Sequence, residues 1–245
     1  MNTLLVAAKS DIGMKRKENQ DRFRVTVLDD GTAVAVVCDG MGGVNFGGEA
    51  SDMAVTAIFE RLIQNYRPKS SSMTMKNLLV TSISAANTIV YSSSKETVEK
   101  NGMGTTCVVA VVRDDIAYIA SVGDSRAYLV DDKGIEQVTV DHTYVEMLYE
   151  QGKINRDEIK MHNMRNVITK AIGTEKELEV DFFEVDFELG NELLLCTDGL
   201  TNHCTDEQLY NFIHRQDIEK AAEDLINYAN EQGGKDNITV ALICK

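Results

Sequence analysis

The stretch GTTCVVAVVRDDIAYIASVGDSRAYLVDDKGIEQVTV, residues 104–140, decides the architecture. Apolar, β-branched runs at 105–112, 116–122, 126–130 and 135–140 are separated only by Arg113-Asp114-Asp115, Gly123-Asp124-Ser125 and 131–134. Runs of that length joined by short polar turns read as an antiparallel meander. Toward the N-terminus lie three more strands, at 3–8, 22–28 and 32–38, the last two joined at Asp29-Asp30-Gly31. Gly47-Gly48 then opens a helix through about Tyr66, with Ala50, Met53, Ala54, Ala57, Ile58 and Leu62 at helical spacing. A second helix is expected over 74–98, with Leu78, Leu79, Ile83, Ala86 and Val90 inward. Beyond the meander, 144–165 reads as short polar helices, and 179–186 and 192–197 as strands. A helix capped by Thr205 with Gln208 three residues on follows, then a helix at 218–231 stopped by Gly233-Gly234, then a strand at 237–244. Helices are grouped apart from antiparallel strands, which argues α+β rather than a doubly wound sheet. The expected form is a four-layer α-β-β-α sandwich, two mainly antiparallel sheets face to face with helix pairs outside and 144–165 as a small helical flap.

Composition narrows the function. The 245 residues contain a single proline, Pro68, and no linker tract, so one domain over 1–245 is expected. Net charge is −14, from 25 basic and 39 acidic residues, which disfavours a nucleic-acid partner. The five cysteines have no CxxC spacing, and four sit in or beside apolar runs, as reduced core residues do. The apolar run 4–8 is too short for a signal segment or a membrane span, so a cytoplasmic location is expected. Neither a P-loop nor a Gly-x-Ser-x-Gly elbow occurs.

Four times an apolar run meets an aspartate followed by a small or turn-forming residue: Asp39-Gly40, Asp124-Ser125, Asp198-Gly199 and Asp236-Asn237, the last just before a run instead of after it. Singly, each reads as an ordinary turn. Together, carboxylates at the edge of an apolar core repel one another unless a cation lies between them. Hard divalent ions such as Mg²⁺ and Mn²⁺ take such oxygen donors.

The local detail resembles the metal-dependent serine/threonine phosphatases of the PP2C class, in their compact bacterial form. The motifs run in family order through most of the chain: Arg16-Lys17-Glu18-Asn19-Gln20-Asp21, Asp39-Gly40-Met41-Gly42-Gly43 with Gly47-Gly48-Glu49-Ala50-Ser51, Gly104-Thr105-Thr106, and Gly123-Asp124-Ser125-Arg126. Asp141-His142-Thr143, Arg165–Gly173, Thr197-Asp198-Gly199 and Asp236-Asn237-Ile238-Thr239 complete the set. The resemblance implies two Mn²⁺ or Mg²⁺ ions at one end of the sandwich. Asp39 would bridge them, Gly40 would bind one through its carbonyl, and Asp198 and Asp236 would complete the second. Asp21 would hold metal-bound water, and Asp124 with Asp198 resembles a third-ion position. Arg16, a planar fork of donors, would grip the substrate phosphate. Catalysis would rest on Arg16, Asp21 and Asp39, with attack on the phosphorus by a water shared between the ions.

The same resemblance implies phosphoserine and phosphothreonine proteins as substrates, an opposing serine/threonine kinase as partner, and a monomer. The alternatives are a catalytically silent relative that binds phosphoproteins, or a phosphatase of anti-sigma-antagonist proteins. Gln20 stands where many members have glutamate, Met41 where eukaryotic relatives have histidine, and Val44 where bacterial ones often do. Residues 144–165 correspond to the family's mobile flap, and Lys153, Arg156, Lys160 and Arg165 give it positive character. His142 is expected to fix a loop, and His203 and His214 to lie on the surface; no residue stands out as the acid for the leaving group.

Overall fold

The structure, a computed structural model, describes residues 3–245, the side chains of residues 43–45 excepted. One sheet has the order β1 (Leu5–Asp11), β11 (Ile238–Cys244), β10 (Glu192–Cys196), β7 (Arg126–Asp131) and β8 (Gly134–Gln137). The other runs β2 (Asp21–Val27), β3 (Ala33–Met41), β5 (Cys107–Arg113), β6 (Ile116–Val122) and β9 (Asp181–Asp186), with the two-residue β4 (Gly104–Thr105) on the end of β3. All the pairings between these strands are antiparallel.

Period-two alternation assigns each strand residue to a layer. On β3, Ala33, Ala35 and Val37 face the opposite sheet, whereas Val34, Val36 and Cys38 face α1 (Gly43–Asn65) and α2 (Ser72–Ser94). On β10 and β11, Leu193, Leu195, Ala241 and Ile243 point between the sheets. Leu194, Cys196, Val240 and Leu242 pack under α6 (Asp206–Ile213) and α7 (Ile218–Glu231). Each large apolar side chain fully buried this way contributes about 1.5–3 kcal/mol. The four layers α-β-β-α are therefore present in the order expected.

Helix ends follow their caps. Thr205 and Gln208 form the reciprocal capping box, Asp217 caps α7 and Ser71 caps α2. The first two helices correct the sequence reading: α1 begins at Gly43, not Gly47, and α2 spans 72–94 rather than 74–98. The run at 105–112 is broken at Thr106, and the strand expected over 135–140 closes at Gln137. A short helix, α5 (Asp198–Thr201), was not foreseen at all. Within 144–165 lie α3 (Tyr144–Glu150), capped by Thr143, and α4 (Arg156–Met161), capped by Asn155. Among the described residues no helix is long and apolar enough to cross a membrane.

Candidate active site

Asp39 is not in a turn. Strand β3 runs through it to Met41, and Asp39 sits directly opposite Asp21 in the β2–β3 register. Opposed residues in antiparallel strands have Cβ atoms about 4.5–5.5 Å apart, so two carboxylates face each other at the sheet's end. Both share the parity of Val37 and Phe23, which places them between the sheets. Asp21 is 2% exposed and ties the layers together: the Thr197 and Thr239 hydroxyls of the opposite sheet donate to its Oδ2 at 2.9 and 2.7 Å. Its Oδ1 is buried with no hydrogen-bond partner.

The remaining acids arrive at the same edge. Asp198 opens α5 two residues past β10, Asp236 lies two residues before β11, and Asp124 two before β7. Asn202 donates to Asp198 Oδ2 at 3.0 Å, while Asp198 Oδ1 and Asp124 Oδ1 are buried without partners. Burial, then repulsion by Asp21, Asp198, Asp124 and Asp236, pushes the Asp39 carboxyl well above the usual carboxylate range. Burial and the charges of Asp198 and Asp236 push Asp21 up to about 7, despite its two threonine donors. Asp198 rises to about 6 through burial and Asp236, and Asp124 to about 8 through burial, Asp198 and Asp141. These acids are within one another's electrostatic reach.

Three partnerless buried carboxylate oxygens among like charges fit a divalent cation's all-oxygen donor set, while Asp236 accepts from Arg16 and from the Asn237 N–H and would exchange a partner for an ion. Among the described residues no three His, Cys, Asp or Glu side chains already close on one metal point. Ions of the Mg²⁺ type keep several waters rather than demanding an all-protein cage.

Glycines let the elements approach. A Cβ on Gly40 would meet the Gly47 carbonyl oxygen at 2.1 Å, so a side chain there would push the α1 backbone away from β3. A Cβ on Gly13, whose φ is +78°, would meet the Asp236 carbonyl oxygen at 2.1 Å. Gly13 leads into the exposed loop that carries Arg16. The Arg16 guanidinium donates from Nη2 to Asp236 Oδ2 at 2.6 Å, with its side chain half exposed at the mouth of the acid cluster.

Around this centre Arg126 binds Asp141 through Nε and Nη2 at 2.9 and 2.7 Å, next to Asp124. His142 accepts from the Gly123 N–H on Nδ1 at 3.0 Å and approaches Asp181 with Nε2 at 3.2 Å, so it does fix a loop. The flap is rooted beside it by Thr169 N–H to His142 O and Tyr144 N–H to Val167 O.

The protein phosphatase 2C pattern matches residues 14–242. The chain belongs to the protein phosphatase 2C family. It is 34% identical over 239 residues to the serine/threonine phosphatase stp of Listeria monocytogenes, covering 96% of this chain and 93% of that one. The crystal structure of Staphylococcus aureus serine/threonine phosphatase Stp1 superposes with a TM-score of 0.91 at 33% identity, covering 100% and 96% of the two chains. The catalytic domain of PstP in complex with two manganese ions gives a TM-score of 0.86 at 28% identity, over 98% and 97%.

Within this protein phosphatase 2C fold, Asp21, Asp39, Asp124, Asp198, Asp236 and Arg16 all come to one end of the sandwich. Other expectations change. Arg156 is paired, its Nη1 binding the buried Glu146 at 2.7 Å and its guanidinium lying 4.2 Å from the Tyr149 ring centroid, although its side chain stays largely exposed. His214 is not on the surface; its side chain is 14% exposed between Asp132 and Glu192. His203, expected on the surface, is partly exposed and accepts from the Lys235 N–H at 3.4 Å. The Gln20 side chain fills the space against Gly47, and the expectation for Val44 falls outside the described residues. Burial raises the Cys38 and Cys196 thiols, so both stay protonated bystanders. Sequence reading missed Thr197, Thr239 and Asn237. The two threonines had a signal: each interrupts the inward apolar alternation of its strand.

Proposed function

We propose that this chain is a phosphoserine/phosphothreonine protein phosphatase that depends on Mn²⁺ or Mg²⁺ and uses no side-chain nucleophile. Two core ions would be held by Asp39, Asp198 and Asp236, with the Gly40 carbonyl as a further donor and Asp21 behind them. Asp124 with Asp198 offers a third position. The observation that carries this reading is the opposition of Asp21 and Asp39 across β2–β3, joined at the same sheet end by Asp198 and Asp236. Divalent cations held by such acids supply charge for the transition state and acidify a water toward neutrality.

The chain's own residues do the rest. Thr197 and Thr239 hold Asp21 with one oxygen engaged and the other buried without a partner. Arg16, at the mouth, matches two non-bridging phosphate oxygens with its fork and stays charged throughout. It therefore binds the monoester in the ground state and offsets charge that grows on those oxygens during in-line displacement. On the flap, exposed Lys153, Lys160 and Arg165 stand among exposed Glu150, Asp157 and Glu158, so the segment offers individual cations to a phosphoprotein and no net positive face.

Residues 1–245 form one phosphatase domain with residues 144–165 as its flap subdomain. It acts as a monomer in the cytoplasm, opposing a serine/threonine kinase. The complete set of clustered acids speaks against a silent relative, which has no physical reason to retain mutually repelling charges. The test is hydrolysis of p-nitrophenyl phosphate with Mn²⁺, with EDTA, and with Asp39→Asn. Turnover that requires Mn²⁺ and is abolished in the variant supports the reading; equal turnover in EDTA overturns it.

A further inference from the structure

The loop between β1 and β2 crosses from one sheet to the other and carries Arg16 on a largely exposed stretch. One side chain from the far end of the sequence ties both of its flanks. Asn237 is 5% exposed, and its amide is fully used. Nδ2 donates to Ile12 O and to Glu18 O, both at 2.9 Å, and Oδ1 accepts from the Gln20 N–H at 2.8 Å. These partners bracket Arg16 on both sides. The Asn237 backbone N–H donates to Asp236 Oδ1 at 2.8 Å, and Asp236 Oδ2 receives Arg16 at 2.6 Å. A Cβ on Gly199 would meet the Asn237 carbonyl oxygen at 1.9 Å, so the turn carrying Asp198 rests on the same residue.

The chemistry demands asparagine. Two carbonyls and one N–H must be met from one short stem, which takes two donors and one acceptor. Aspartate would set a carboxylate against two carbonyls, and serine would satisfy one partner. Other contacts pin the loop on one side of Arg16 or the other: Met14 N–H to Gly234 O and Gly13 N–H to Asp11 Oδ1 ahead of it, Asn19 Nδ2 to Ser10 Oγ and the Ser51 hydroxyl to Gln20 O behind it; Asn237 is the side chain that ties both flanks at once.

We propose that Asn237 is a positioning residue that sets affinity for the phosphate monoester by fixing the loop that carries Arg16. The proposal rests on the reading of Arg16 as the phosphate clamp. A residue that merely staples the fold together would weaken the enzyme whatever stands at position 16. A positioning residue matters only while Arg16 is there to be positioned.

The experiment is a double-mutant cycle at saturating Mn²⁺. The kcat and KM for p-nitrophenyl phosphate and the inhibition constant of inorganic phosphate are measured in wild type, Arg16→Ala, Asn237→Ala and the double variant. Asn237→Ala is expected to raise KM and the phosphate inhibition constant about tenfold, with kcat changed less than about threefold. In the Arg16→Ala background the same substitution is expected to change both by less than about twofold. An equal fold-change in both backgrounds overturns the proposal, as does a fall in kcat at constant KM. If Arg16→Ala itself leaves KM and the inhibition constant unchanged, the clamp reading fails and the proposal with it. Should Asn237→Ala not fold, Asn237→Ser enters the same cycle with the same criteria.

Discussion

Raising the pH of the protein in EDTA from about 5.5 to about 8 should lower its thermal stability, and saturating Mn²⁺ should remove that slope. The reasoning starts at Asp21, whose carboxyl is pushed up to about 7 by burial and by Asp198 and Asp236. In the unfolded chain the same group titrates near the ordinary aspartate value of about 3.9. Between those two pH values the folded state binds the proton and the unfolded state does not. Stability changes with pH as 2.303RT times the protons bound by the unfolded state minus those bound by the folded state, so here it falls as pH rises. Counting Asp21 alone, the rise from about pH 5.5 to about 7 loses roughly 1.5 units, or about 2 kcal/mol. For a chain of this size that is a drop of roughly 4–8 °C in Tm, and Asp124, pushed up to about 8, adds in the same direction. Bound cations replace protons as the partners of these oxygens, so with Mn²⁺ the acids are ionised throughout and the slope disappears. Differential scanning calorimetry across the pH range, with and without Mn²⁺, measures this directly. A Tm that is flat or rising in EDTA, or a fall of equal size with Mn²⁺, refutes the clustered-acid reasoning. Asp21→Asn should flatten the EDTA slope.

Other perturbations test neighbouring parts of the site. Asp39→Asn should raise Tm in EDTA at about pH 8, by relieving repulsion, while abolishing the added stability that Mn²⁺ gives; unchanged Mn²⁺ stabilisation in calorimetry would remove Asp39 from the ligand set. Thr239→Val takes a 2.7 Å donor from buried Asp21 and should cost about 1–3 kcal/mol, read by urea denaturation in EDTA. Gly13→Ala forces a Cβ to within 2.1 Å of the Asp236 carbonyl at a positive φ, so KM should rise several-fold with a loss of at least about 1 kcal/mol in stability. Kinetics and melting on the same sample check both.

Much of the fold was legible because its signals are local. The meander needed only residues 104–140, and the bounds of α7 follow from apolar spacing between Asp217 and the glycine pair after it. The acids of the site were legible for the same reason, since each ends or precedes an apolar run. What escaped reading depends on distant partners. Asp39-Gly40 has the local form of a turn, yet pairing with Asp21 on one side and Thr105 on the other keeps it in the strand. Arg156 looked like free positive charge until Glu146, ten residues earlier, claimed it. Asn237 gave no sign of its role, because its carbonyl partners, Ile12 and Glu18, lie 225 and 219 positions away.

The two sheets meet through hydrocarbon along most of their length, but at the functional end they meet through Asp21, Thr197 and Thr239. Apolar contact needs no bound ion to hold it, whereas this polar stitch includes a carboxylate that repulsion works against. The sandwich should therefore breathe from its catalytic mouth when divalent ions are withdrawn. Amide protons at the ends of β2 and β11 would exchange with solvent deuterium well before those at the middle of β3.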